Sequence, residues 1–146
     1  AQAGITRLGT SVKLSKLSLD DFPPSPGQGA LAIVCREDDS KTLEILQQIE
    51  DPKSRKEIEA ERALSDSVDS GCRFPVGAFA VSDSNSLTLK VAVYSMDGKK
   101  SIILEKSDNI NNAVELGKSL GGELKDRGVS EIASNWREEL EEWNKQ

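Results

Sequence analysis

The chain has 146 residues, enough for one ordinary domain or for one domain with part of another. Hydrophobic residues make up 36% and charged residues 30%, which permits a core beneath a heavily charged surface. The formal net charge of −6 argues against general nucleic-acid binding, which needs a basic stripe, yet leaves room for a small anion held by a few convergent arginines. No run approaches the roughly 20 apolar residues that span a bilayer, and no secretory signal is visible, so no membrane partner is expected. Histidine is absent, and Cys35 and Cys72 form no Cys-x-x-Cys pair, so no metal site is expected. The plain expectation is a reducing, cytoplasmic compartment. The opening on Ala1 suggests part of a longer chain, with a processed N-terminus as the alternative.

In chain order, Ala3-Gly4-Ile5-Thr6-Arg7-Leu8-Gly9 reads as a short helix, followed by a loosely patterned stretch to Phe22. Pro23, Pro24 and Pro26 break regular structure, and Gly27-Gln28-Gly29 follows as a turn. The apolar run from Ala30 to Cys35 is predicted to be a buried strand, with Leu31, Ile33 and Cys35 on one face. Glu37-Asp38-Asp39-Ser40 is a polar break ending in Ser40 as N-cap, and the next helix carries Leu43, Leu46 and Ile49 on one side. Asp51-Pro52 restarts the pattern as N-cap and first helical residue. That helix runs to about Val68, with Ala60, Ala63, Leu64, Ser67 and Val68 at helical spacing, and Gly71 lies just past its end.

From Pro75 the period changes to alternation. Gly77–Val81 reads as one strand, Asp83–Ser86 as a turn, and Leu87, Leu89, Val91 and Val93 as one face of a second strand. Asp97-Gly98 signals a hairpin into a third strand, Ser101–Lys106. Two helices close the chain. The first uses Ile110, Ala113, Val114, Gly117, Leu120, Gly121 and Leu124 and stops at Gly128; the second uses Ile132, Trp136, Leu140 and Trp143. The expected fold is α+β, a three-stranded antiparallel sheet with helices packed on one face.

Cys72 sits in Asp69-Ser70-Gly71-Cys72-Arg73-Phe74-Pro75, between a helix and a strand. A thiol there can form a stable thioether with a carbon electrophile. Arg73 would favour the thiolate, while the carbonyl end of the preceding helix would oppose it. The local sequence leaves open whether Cys72 is such a nucleophile or a small buried hydrophobe. Cys35, in an apolar alternation, is expected in the core. Gly27-Gln28-Gly29 lacks the third glycine of a dinucleotide fingerprint and the lysine of a P-loop. It is either a plain turn or a close backbone contact in which the Gln28 amide both donates and accepts.

Arg7, Arg36, Arg62 and Arg73 flank these features and could grip carboxylates, or could equally be solvated charges. Asp38-Asp39 fits a helix entry better than a general acid/base pair. The Glu138–Glu142 cluster fits a solvated helix face.

The order Arg7-Leu8-Gly9, Pro26-Gly27-Gln28-Gly29-Ala30-Leu31, Cys35-Arg36, Ala60-Glu61-Arg62-Ala63 and Gly71-Cys72-Arg73-Phe74-Pro75-Val76-Gly77-Ala78 closely resembles hydroxymethylbilane synthase, also called porphobilinogen deaminase. The resemblance covers essentially the whole chain. It implies an enzyme that polymerises porphobilinogen into a linear tetrapyrrole with release of ammonia, priming the oligopyrrole on a dipyrromethane cofactor joined by a thioether to Cys72.

The family has two doubly wound domains and a small third domain bearing the cysteine. By resemblance, residues 1–36 are a remnant of the second domain plus the strand returning to the first, and residues 37–146 are the cofactor-attachment domain. Cys72, Gly71, Gln28, Arg36 and Arg62 are carried over as cofactor-binding and Arg7 as substrate-binding. The family's catalytic aspartate belongs to the first domain and has no counterpart here, so no catalytic residue is expected in this chain. Alone it is expected to be inactive and to lack cofactor. Its expected partners are porphobilinogen, the growing oligopyrrole and the missing N-terminal domains. Without those domains the strand at 23–36 is expected to be disordered or paired with another copy. Ser70 departs from the family's usual glycine. The alternative is a non-catalytic α+β interaction module derived from the same scaffold.

Overall fold

Leu87, Leu89, Val91 and Val93 alternate with Thr88, Lys90, Ala92 and Tyr94, and all four of the first set are completely buried. They lie on the central strand of the sheet. The computed structural model describes residues 2–9, 11, 13–68, 75–132, 136, 141, 142 and 145. Within these residues β1 (Val76–Asp83), β2 (Ser86–Tyr94) and β3 (Ser101–Asn109) form an antiparallel meander in the order β1-β2-β3. Val76 pairs with Val93 and Tyr94 with Ser101, which puts the apolar set of all three strands on one face. The first turn bends at Ser84 and Asn85. The second is closed by Ser95 N–H on Lys100 C=O, with Gly98 at φ +68° where a side chain would be strained.

The helices are α1 (Gln2–Leu8), α2 (Ser40–Ile49), α3 (Pro52–Ser67), α4 (Ala113–Asp126) and α5 (Val129–Ile132). Helix α3 packs on β1 and α4 on β3, and the two helices pack on each other. Ala60, Leu64 and Val68 from α3 meet Leu116, Leu120 and Leu124 from α4 over the buried strand residues. Each fully buried leucine is worth about 1.5–3 kcal/mol. A Cβ at Gly117 would run into the Ala60 carbonyl, and one at Gly121 into the Ser67 hydroxyl, so these glycines set how closely α3 and α4 approach. The expected α+β arrangement, with helices on one face of a three-stranded sheet, is present.

Several local expectations change. The cap of α2 is Asp39, not Ser40: its carboxylate accepts from Thr42 N–H at 3.1 Å and from the Thr42 hydroxyl at 2.8 Å. A carboxylate one residue earlier reaches the free N–H groups better than Ser40 could from inside the first turn. Asp51 and Pro52 begin α3 as expected. No residue of α2 is buried: Leu46 is half-buried, and Ile49 is 65% exposed. Trp136 is buried, whereas Leu140 and Trp143 lie outside the described residues.

The buried strand expected at Ala30–Cys35 is absent. The segment has no regular structure, Leu31 and Val34 are 95% and 89% exposed, and Cys35 is half-buried instead of in the core. A strand forms only where another backbone takes up its N–H and C=O groups. One sheet edge, the outer side of β1, is already occupied. Ala78 N–H donates to Pro24 C=O at 2.8 Å, Ala80 N–H to Glu61 at 2.8 Å, and Ser82 N–H to Glu57 at 2.8 Å. Alternate donors along that edge are thus closed by one loop carbonyl and two glutamates one turn apart on α3. Among the described residues before 37, α1 is the one regular element.

Candidate functional site

Cys72 and Gly71 lie outside the described residues, as do Ser70, Arg73 and Phe74. Their two flanks are described. Helix α3 ends where Val68 N–H bonds back to Leu64 C=O at 3.2 Å, and Pro75 leads into β1.

Against the start of β1 lies the proline-rich segment. Gly77 faces Pro23 so closely that a Cβ there would stand 2.6 Å from the Pro23 carbonyl. The chain then turns through Pro26–Gly29, with Gly27 at φ +74° and Gly29 at φ +95°. Gln28 N–H bonds to Ser25 C=O at 3.0 Å, and the Gln28 side-chain oxygen accepts from Ser25 N–H at 3.2 Å. Gly27-Gln28-Gly29 thus forms a turn, and Gln28 is exposed on it.

What fixes this turn is Glu61. Its side chain is only 6% exposed. One carboxylate oxygen accepts from Gly27 N–H at 2.6 Å, the other from Ala80 N–H at 2.8 Å. Burial pushes the Glu61 carboxyl above its ordinary range, and the nearby Glu57 charge adds to that; the two N–H bonds pull the other way without cancelling it. A buried carboxyl with a raised pKa can mark a general acid. Here both oxygens are committed to backbone amides, so the group is a clamp.

Arg62 is an expected cofactor contact by resemblance, whereas its neighbour Glu61 carries no such expectation. Yet Glu57, Glu61, Leu64 and Val68 share one helical stripe, which puts both glutamates on the face that packs against the sheet. That spacing was the available signal.

Arg62 is exposed on α3, and Arg7 is exposed in the last turn of α1. Arg36 is exposed and pairs with Asp38 at 3.5 Å. Through Glu61 the structure joins the turn carrying Gln28 to the helix carrying Arg62. Arg7 and Arg36 share no hydrogen bond or ion pair with either among the described residues. Asp38 and Asp39 serve the helix entry, as expected. Among the described residues no group of three His, Cys, Asp or Glu could hold a metal ion, and no helix is long and apolar enough to cross a membrane.

Two family models match the chain. "Porphobilinogen deaminase, dipyromethane cofactor binding domain" covers residues 1–44, and "Porphobilinogen deaminase, C-terminal domain" covers residues 55–126. The chain belongs to the porphobilinogen deaminase family. It is similar to a probable porphobilinogen deaminase of Nitrosopumilus maritimus, with 61% identity over 99% of this chain and 47% of the relative. Porphobilinogen deaminases of Desulforamulus reducens and Carboxydothermus hydrogenoformans are each 36% identical, over 94% and 97% of this chain and 45% and 46% of their own lengths. The chain thus spans about half the length of the curated porphobilinogen deaminases it matches. The turn at Pro26–Gly29 falls within the match to the cofactor-binding model, and Glu61 and β1 fall within the match to the C-terminal model. The Glu61 carboxylate links the two matched regions.

Proposed function

We propose that this chain is the C-terminal part of a hydroxymethylbilane synthase, in which Cys72 anchors a dipyrromethane primer through a thioether. The supporting observation is the pair of family matches, one of them to a dipyrromethane cofactor-binding domain, on a chain that carries Gly71-Cys72 between α3 and β1. On this reading residues 37–146 are the attachment domain, and residues 1–36 belong with the preceding domains. The complete enzyme would join porphobilinogen units in the cytoplasm, releasing ammonia at each addition.

The residues present suit such a group. The Cys72 thiol is a nucleophile able to form a C–S bond to a pyrrole methylene carbon, giving up its proton as the carbon's C–N bond breaks and ammonia leaves. Exposed guanidinium groups at Arg7, Arg36 and Arg62 match acetate and propionate side chains, since a planar fork donates two parallel hydrogen bonds to a carboxylate. The exposed Gln28 amide can donate to a pyrrole carboxylate from a turn that its own backbone and Glu61 hold still. Bound there, dipyrromethane would supply the free pyrrole end to which new units add. Stabilising positive charge on a pyrrole needs a carboxylate, which by resemblance belongs to the first domain. Glu61, committed to Gly27 and Ala80, is not that group.

Intact mass of the full-length protein tests the reading. A dipyrromethane-sized adduct is expected on the wild type and on Cys35→Ala, and none on Cys72→Ala. An adduct that persists in Cys72→Ala, or an unmodified thiol in an active wild type, overturns it. The 146-residue chain alone should make no tetrapyrrole from porphobilinogen.

A further inference from the structure

Glu61 is the buried acid of the described residues, and it is not used in attachment. Its two oxygens bond backbone amides far apart in sequence, Gly27 and Ala80. One amide lies in the turn presenting Gln28; the other lies in the strand that begins four residues after Cys72. The same strand is touched again by Pro23 at Gly77 and by Pro24 at Ala78. Those contacts hold the proline segment; among the described residues it is Glu61 that bonds the glycine turn beyond it. Glu57, one helical turn earlier, is the internal control: it accepts from the Ser82 N–H and hydroxyl at 2.8 and 2.7 Å and closes the same strand edge without touching the turn.

We propose that Glu61 is a positioning residue, whose carboxylate fixes the Pro26–Gly29 turn against β1 and so sets where Gln28 stands relative to that strand. This deepens the attachment reading and rests on it. The bridge is bidentate, so a shift of the turn relative to β1 must break one of two charge-assisted bonds. A neutral amide cannot replace it. Glutamine keeps one acceptor oxygen and turns an NH2 donor toward the remaining N–H. The polar contact between the two matched regions would then fail at one end while the α3–α4 core stays intact.

The test uses the full-length enzyme in four forms: wild type, Glu61→Gln, Glu61→Asp and Glu57→Ala. Residue-resolved amide exchange on the wild type comes first. The Gly27 amide should exchange at least about tenfold more slowly than that of Gly29, as a bond to a buried carboxylate requires. Equal rates overturn the proposal without any variant. In Glu61→Gln the adduct on Cys72 should be retained, Gly27 exchange should rise about tenfold or more, and kcat should fall on the order of tenfold, since small misplacements near a reacting centre are costly. Glu61→Asp, shorter but still a double acceptor, should recover part of both losses. Glu57→Ala should loosen Ser82 alone and leave kcat within about twofold, because it removes edge closure without releasing the turn. A normal kcat in Glu61→Gln, or an equal loss in Glu57→Ala, overturns the positioning role. Absence of adduct from the wild type would instead overturn the attachment reading, and the exchange rates would still report on the clamp.

Discussion

Glu61 and Gly27 are joined across 34 positions of sequence by a 2.6 Å hydrogen bond, from a backbone N–H in a glycine turn to a carboxylate buried beside a sheet edge. The same side chain satisfies Ala80 at 2.8 Å. Glu61→Ala would strand both donors. The expected loss is about 2–4 kcal/mol, since each unpaired buried polar group costs about 1–3 kcal/mol. Urea denaturation of the purified variant beside the wild type measures it, and a change within experimental scatter would show that water replaces the carboxylate freely.

The acidity of Glu61 gives this clamp a pH dependence of defined sign. Burial raises its pKa above the ordinary 4.5, so the folded state holds the proton more tightly than the unfolded one. The associated stability is complete below 4.5 and is lost as pH rises through the folded value. Wild-type stability minus that of Glu61→Gln should therefore fall with pH in the window above 4.5 and level off on either side. The opposite slope would mean that the two N–H bonds outweigh burial.

Asp97 behaves in the opposite way. The Ser95 hydroxyl bonds to its carboxylate at 2.6 Å, and together with the Lys99 N–H and side chain it holds the pKa down at about 2. The hairpin contribution should be present above the ordinary 3.8 and be lost as pH falls through about 2. Carboxyl NMR titration of Asp97 should give a midpoint near 2, and one near 3.8 would show that the Ser95 contact does not persist in solution.

Three glycines on α4 should answer differently to alanine. Gly117→Ala meets the Ala60 backbone carbonyl, which cannot rotate away, and should cost about 1–3 kcal/mol. Gly121→Ala meets the Ser67 hydroxyl, which can turn aside only by leaving Leu64 C=O, and the Ser67 Cβ at 2.9 Å, so it should also destabilise, though less because no backbone atom lies that close. Gly122 has open space around it within the helix, and alanine there should gain about 0.5–1 kcal/mol. Denaturation midpoints for the three variants should fall in that order, and equal effects would contradict the close α3–α4 contact.

The elements legible in the sequence were those whose signals are local. Leu87, Leu89, Val91 and Val93 announce a strand by alternation alone, and Asp51-Pro52 announces a helix start by geometry at two adjacent positions. Ala30–Cys35 misled because an apolar run says only that its residues avoid water, whereas a strand also needs a second backbone. The motif around Cys72 identified the family from residue identities and order, which no amount of periodicity would have done. Glu61 was hidden for a further reason: its charge suggests solvent, and only the spacing of Glu57, Leu64 and Val68 placed it inward. Its two partners are backbone amides of glycine and alanine, which leave no mark in a sequence.

The closed edge of β1 also bears on how copies of this chain meet. A sheet grows from one molecule to the next by offering vacant donors to an incoming strand. At Ala78, Ala80 and Ser82 those donors are already committed inside the same molecule. Before a foreign strand can add there, the Pro24 carbonyl and the carboxylates of Glu57 and Glu61 must let go. The clamp that steadies the glycine turn therefore doubles as a barrier to polymerisation through that side of the sheet.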